Sequence, residues 1–145
     1  MGGENINTYA STREYRNEVR EMEIERIGKP EPAAGIPIIS FAAIHGGVVY
    51  LCGITANPAG PLGDVKQQTR EVLEKVDAAL RAAGTDKSRL LTAQVWLTDM
   101  DDFAEHNDAW NEWVDPEHPP VRACVQSPRL WRPGLRVEIM VTAAR

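Results

Sequence analysis

Asp64-Val65-Lys66-Gln67-Gln68-Thr69-Arg70-Glu71-Val72-Leu73 opens a segment that runs to Ala83-Gly84, and Leu91-Thr92-Ala93-Gln94-Val95-Trp96-Leu97-Thr98 follows it. The contrast between the two decides the fold class. In the first, Val65, Thr69, Val72, Leu73, Val76, Ala79, Leu80 and Ala83 recur at spacings of three and four, which places them on one stripe of a helix. Asp64 suits the N-cap, with Gln67 three residues on, and Gly84 suits the C-terminal stop. In the second, Leu91, Ala93, Val95 and Leu97 alternate with Thr92, Gln94, Trp96 and Thr98, as in a strand with two unlike faces.

Toward the N-terminus, beyond a loop at 57–63, two apolar runs at 38–44 and 48–52 flank Gly46-Gly47. Glycine accepts the positive φ angles of a two-residue hairpin turn, so these runs read as a hairpin. A Pro-, Ala- and Gly-rich loop precedes it, and a first strand is expected at 22–27. Residues 1–21 read as an N-terminal extension, at most a short surface helix, and 22–145 as the domain. Toward the C-terminus a shorter helix is expected at 101–114, with Phe103, Trp110 and Val114 on one side and Pro116 ending it. Strands at 121–127 and 135–142 then read as a closing hairpin. One mixed sheet covered on one face by two helices, an α+β fold, is the economical packing of this order. The bare second face predicts a homotrimer.

The chain has the length of one domain, 145 residues, and a net charge of −5. Acidity argues against a protein that works by neutralising phosphates, so nucleic acid is an unexpected partner. Arg129, Arg132 and Arg136 form a basic cluster that a solvated hairpin tip explains. No apolar run approaches the length of a membrane span, and the first residues lack the pattern of a signal peptide. A soluble, cytoplasmic protein without membrane partners is expected. Cys52 and Cys124 are too few for a disulfide framework. His45, His106 and His118 lack metal-ligand spacing and read as surface or packing residues, so no metal site is expected. Trp96, Trp110, Trp113 and Trp131 read as core or interface fillers.

Two charges break apolar strand patterns: Arg122 within Pro120-Val121-Arg122-Ala123-Cys124, and Glu138 within Val137-Glu138-Ile139-Met140-Val141. Two accounts are open. Arg122 can grip a carboxylate through two parallel hydrogen bonds while Glu138 handles a proton or a water. Alternatively the two charges pair across neighbouring strands.

Tyr50-Leu51-Cys52-Gly53, Gln68-Thr69-Arg70-Glu71-Val72-Leu73-Glu74, Ala82-Ala83-Gly84, Leu97-Thr98-Asp99-Met100-Asp101-Asp102-Phe103, Asn107, Pro120-Val121-Arg122-Ala123-Cys124 and Val137-Glu138-Ile139 stand in one order. That series resembles the landmarks of the RidA/YjgF family, the reactive-intermediate deaminases also labelled endoribonuclease L-PSP. The run Asp108-Ala109-Trp110-Asn111-Glu112-Trp113-Val114 is similar to its divergent YoaB-like branch. The resemblance implies a chorismate-mutase-like fold and a homotrimer with clefts between subunits. It also implies hydrolysis of enamines and imines to 2-oxo acids and ammonia, with no metal or organic cofactor. Arg122 then matches the carboxylate-binding arginine, and Glu138 the glutamate that helps to place water. Cys124, Gly53 and Asn107 match residues of the cleft. The family's pocket tyrosine is replaced by Ile39 and the glutamine after the glycine by Ile54, which implies a greasier substrate or binding without turnover. The alternatives are a trimeric 2-oxo acid-binding regulator and the ribonuclease of the older label.

Overall fold

The computed structural model describes residues 12–145. These run α1 (Arg13–Met22), β1 (Glu25–Ile27), β2 (Ala42–His45), β3 (Val48–Leu51), β4 (Ile54–Thr55), α2 (Val65–Ala82), β5 (Leu90–Leu97), α3 (Phe103–Trp113), β6 (Val121–Gln126) and β7 (Val137–Ala144). Met22 therefore closes a helix instead of opening the first strand. Thr12 starts that helix by accepting a hydrogen bond from the Tyr15 amide, and none of its residues is buried. Of the expected extension, residues 1–11 lie outside the described residues.

α2 follows its sequence closely. Asp64 Oδ1 accepts from the Gln67 amide at 2.9 Å while Gln67 Oε1 accepts from the Asp64 amide at 3.0 Å, a reciprocal capping box. At the other end Gly84 has φ +81°, the Gly84 amide bonds the Arg81 carbonyl and the Thr85 amide bonds the Leu80 carbonyl. This pair of bonds satisfies carbonyls that the helix leaves open. Gly46 and Gly47, at φ +57° and +74°, make the β2–β3 turn.

The strands form one mixed sheet in the order β1-β2-β3-β7-β5-β6, with β4 also on β7. β6 and β7 are not a hairpin. β6 runs parallel to β5, with α3 as the crossover, and β7 inserts antiparallel between β3 and β5. Residues 127–136 make a crossing connection rather than a hairpin tip. Buried Gln68 fixes that connection: its Nε2 donates to the Gly63 and Gly134 carbonyls, both at 3.0 Å, and its Oε1 accepts from the Arg136 amide at 2.9 Å. Arg136 in turn forks onto Asp102 through Nε at 2.8 Å and Nη2 at 2.7 Å, tying the connection to the start of α3. Asp102 stands at the N-cap of α3, where its side chain makes no capping bond and serves Arg136 instead.

Strand alternation sorts the sheet into two faces. On one, Val49, Val95, Leu97, Val137, Ile139 and Ala143 are fully buried, together with Val72, Val76 and Leu80 of α2. Each valine, leucine and isoleucine among them contributes about 1.5–3 kcal/mol on burial. In α3 the buried stripe is His106, Ala109 and Trp110. Phe103, expected on that side, is 40% exposed because the helix begins only there, after a 3-10 turn at Met100–Asp102. The other face carries Tyr50, Val121, Val125 and Met140, all exposed, and Trp96, half-buried. Among the described residues no helix covers this apolar patch.

Candidate functional site

Arg122 is placed by the β5–α3–β6 crossover. In β6 it pairs with Ala93 of β5, and Cys124 pairs with Val95, so both side chains lie on the buried face, under α3. One turn of α3 supplies the surroundings of the guanidinium. Asn107 Oδ1 accepts from Nη2 at 2.7 Å, His106 Nε2 accepts from Nη1 at 3.2 Å, and the Trp110 ring lies 4.9 Å from the central carbon. Positions 106, 107 and 110 share one side of the helix, so this convergence follows from its 3.6-residue period.

All three neighbours are neutral. Among the described residues no carboxylate pairs with Arg122, and Glu138 makes no ion pair or hydrogen bond. The cross-strand ion pair is thereby ruled out. β5 lies between the two strands, and Glu138 pairs with Trp96 and Thr55, on the face away from the helices. Among the described residues, three of the five guanidinium N–H groups meet no acceptor, and they suit an anion with two oxygens.

Burial lowers the Arg122 pKa from its ordinary value. Fully buried His106 feels the same effect more strongly: desolvation first, then the Arg122 charge, bring its pKa down to about 4. It is a neutral imidazole at physiological pH. The Cys124 thiol is pushed up by burial, partly offset by Arg122, and Cys52 is pushed up by burial, with Glu138 adding to it. Both thiols keep their protons at neutral pH and are poor nucleophiles.

Glu138 occupies a second locus. Its carboxyl pKa is raised by burial, and it lies against Gly53, where any added Cβ would overlap Oε1. The absence of a side chain at Gly53 is what gives the carboxylate its place. On the opposite, helix-facing side of these strands, Ile27, Phe41, Cys52 and Ile54 together with Lys75 and Ala79 of α2 border an apolar depression of about 540 Å³, which Glu138 does not line. Ile39 does not border it; it sits 40% exposed in the loop before Phe41.

The sequence-derived residues thus fall into two groups within one chain, Arg122, Cys124 and Asn107 beneath α3 and Glu138 with Gly53 on β7 and before β4, while Ile54, paired with the core residue Ile139, faces the helix side away from Glu138. His106 was assigned a surface or packing role; it is fully buried, as packing implies, and it also touches Arg122. A signal was present, since His106 lies three and four residues before Ala109 and Trp110 on the buried stripe of α3, beside Asn107. Thr69 was read as part of an apolar stripe, but its hydroxyl meets His106 Nδ1 at 3.0 Å. Trp131 was read as a core or interface filler; it is 56% exposed, bonds Thr55 Oγ1 through Nε1 at 3.1 Å and stacks with Arg132.

Known proteins share this fold. Residues 30–145 match the family model described as endoribonuclease L-PSP. A RutC family protein of Haemophilus ducreyi is 44% identical over 105 residues, covering 72% of this chain and 87% of the relative. The RutC family protein YoaB of Escherichia coli is 39% identical over 105 residues, 72% and 89% of the two chains. A YjgF family member from Neisseria meningitidis superposes with a TM-score of 0.74 at 36% identity, covering 86% of this chain and 97% of that one. No helix among the described residues is long and apolar enough to cross a membrane. One relative, from Schizosaccharomyces pombe and 33% identical over 107 residues, is named as mitochondrial. On the matched span, the identities and the shared fold, the chain belongs to the RidA/YjgF family, also called RutC and L-PSP.

Proposed function

We propose that the protein hydrolyses 2-imino acids, and the enamines in equilibrium with them, to 2-oxo acids and ammonia. The observation that carries this reading is the half-buried guanidinium of Arg122, held by neutral groups and lacking a carboxylate partner among the described residues. Such a group favours an anionic ligand, and the remaining N–H groups suit a carboxylate. Once the carboxylate is fixed, the adjacent imine carbon is fixed too. Water adds to that carbon, the C–N bond of the tetrahedral adduct breaks, and the nitrogen leaves as ammonia.

Glu138 is the water-placing group in this reading. Its raised pKa suits a carboxyl that exchanges protons during addition and collapse. Because Arg122 and Glu138 lie on opposite faces of one sheet, the two come from different copies of the chain in a homotrimer. The uncovered apolar face supports that assembly, with Tyr50, Val125 and Met140 at its exposed positions. Asn107 and Cys124 line the cleft beside Arg122, and Gly53 lines it beside Glu138. The cytoplasmic location expected from the sequence belongs to the same proposal.

An amino-acid oxidase that generates imino acids in the presence of the purified protein provides the test. Ammonia release above the spontaneous rate, with less semicarbazone trapped, supports deamination. A second reading, a 2-oxo acid-binding regulator without turnover, draws on the same separation of Arg122 from Glu138, since one chain alone holds the anion site without the carboxylate. Binding of pyruvate with no acceleration of ammonia release favours it. Ribonuclease chemistry is the least supported, because the net charge of −5 does not favour a polyanion.

A further inference from the structure

Arg122 is held by three neutral groups, His106, Asn107 and Trp110. A guanidinium only donates, so the His106 Nε2 that meets Nη1 at 3.2 Å must present a lone pair. The ring proton therefore sits on Nδ1, where it donates to Thr69 Oγ1 at 3.0 Å. The same reasoning turns the Asn107 amide, whose Oδ1 takes Nη2 at 2.7 Å. Two in-plane acceptors and one ring face, Trp110 at 4.9 Å, together define the rotation of the fork as well as its position.

We propose that His106 is a positioning residue: through the chain Thr69–His106–Arg122 it locks the guanidinium in the rotation at which its free N–H groups meet a substrate carboxylate. The inference rests on the deaminase reading for the identity of the ligand. The lock itself does not. Thr69 lies on the buried stripe of α2 and His106 on that of α3, so the packing of these two helices sets the aim of a side chain on β6. A methionine in place of His106 fills a similar volume without an acceptor. A glutamine carries an amide oxygen near the place of Nε2.

The test uses the full chain and pyruvate as the probe. His106→Met is expected to weaken pyruvate binding by about tenfold, as the loss of one hydrogen bond to a charged group would. His106→Gln restores most of that loss. Thr69→Val frees the imidazole to change tautomer and weakens binding in the same direction, and the double variant Thr69→Val/His106→Met binds no worse than His106→Met alone. In ¹⁵N NMR of the wild type, His106 shows the Nδ1–H tautomer, and rotation of the Arg122 guanidinium is slow; in His106→Met it is fast. The Nε2–H tautomer in the wild type overturns the proposal, even if His106→Met fails to fold. So does a folded His106→Met with unchanged pyruvate affinity and unchanged Arg122 rotation. If the wild type neither binds pyruvate nor releases ammonia while the His106-dependent rotation is slow, the deaminase reading falls and the lock stands.

Discussion

Arg122 and Glu138 lie on opposite faces of the same sheet, on strands separated by β5: Arg122 pairs with Ala93 and faces α3, while Glu138 pairs with Trp96 and faces away from the helices. Strand neighbours are about 4.8 Å apart and Glu138 lies three residues along β7 from Val141, which is in register with Arg122 through Ala93, so the two backbones are roughly 14 Å apart before their side chains diverge. A reaction that uses both groups on one small substrate needs two copies of the chain.

Arg122→Lys keeps a cation but loses the planar fork and its two in-plane partners. Deamination is expected to fall by about 100-fold, with part of the pyruvate affinity retained, because orientation suffers more than attraction. Arg122→Ala loses both. Steady-state rates and a pyruvate titration on the two variants check this; equal losses in both properties for lysine and alanine contradict the role of the fork.

Gly53→Ala tests the place of the carboxylate. The added methyl overlaps Glu138 Oε1, and Gly53 does not have a positive φ, so the backbone accepts alanine while the carboxylate moves. The thermal midpoint should change little, since the obstacle is the end of a flexible side chain. The deamination rate should fall by about tenfold or more. A full rate in a folded Gly53→Ala protein means that the position of Glu138 does not matter.

His106 gives a pH dependence with a definite sign. Its pKa is about 4 in the folded chain, lowered by burial and then by Arg122, against about 6.5 when unfolded. Between these values the unfolded state binds more protons, so stability is full above the unfolded pKa and is lost as pH falls toward 4, by on the order of 3 kcal/mol. Glu138 acts oppositely, because its raised pKa lets the folded state hold more protons as pH rises past the ordinary carboxylate value. Urea midpoints across this range therefore need the His106→Met variant for comparison. The acid-side loss should be smaller in the variant than in the wild type.

Much of the local structure was legible because it is written in local chemistry. Asp64 with Gln67, Gly84, and Gly46-Gly47 each satisfy backbone needs within a few residues of themselves, and the structure uses all of them. Strand pairing is not local. The alternation of 121–127 and 135–142 is what a hairpin shows, and nothing in those residues announces that β7 joins β3 and β5 instead. The device that holds the crossing connection, Gln68, reads in sequence as a polar residue beside the helical stripe. The site was half legible for the same reason. Arg122 and Glu138 stand out as charges in apolar strands, whereas His106 matters only through the distant partners Thr69 and Arg122.

Subunit complementation tests the central claim most directly. Arg122→Ala and Glu138→Gln are purified separately, each expected to be inactive, then unfolded together and reassembled in equal amounts. If each site takes Arg122 from one copy and Glu138 from its neighbour, random trimers regain about a quarter of the wild-type rate, because one site in four joins two intact residues. Mixed trimers, verified by mass, that recover no activity contradict the account, as does either single variant that hydrolyses imino acids at the wild-type rate.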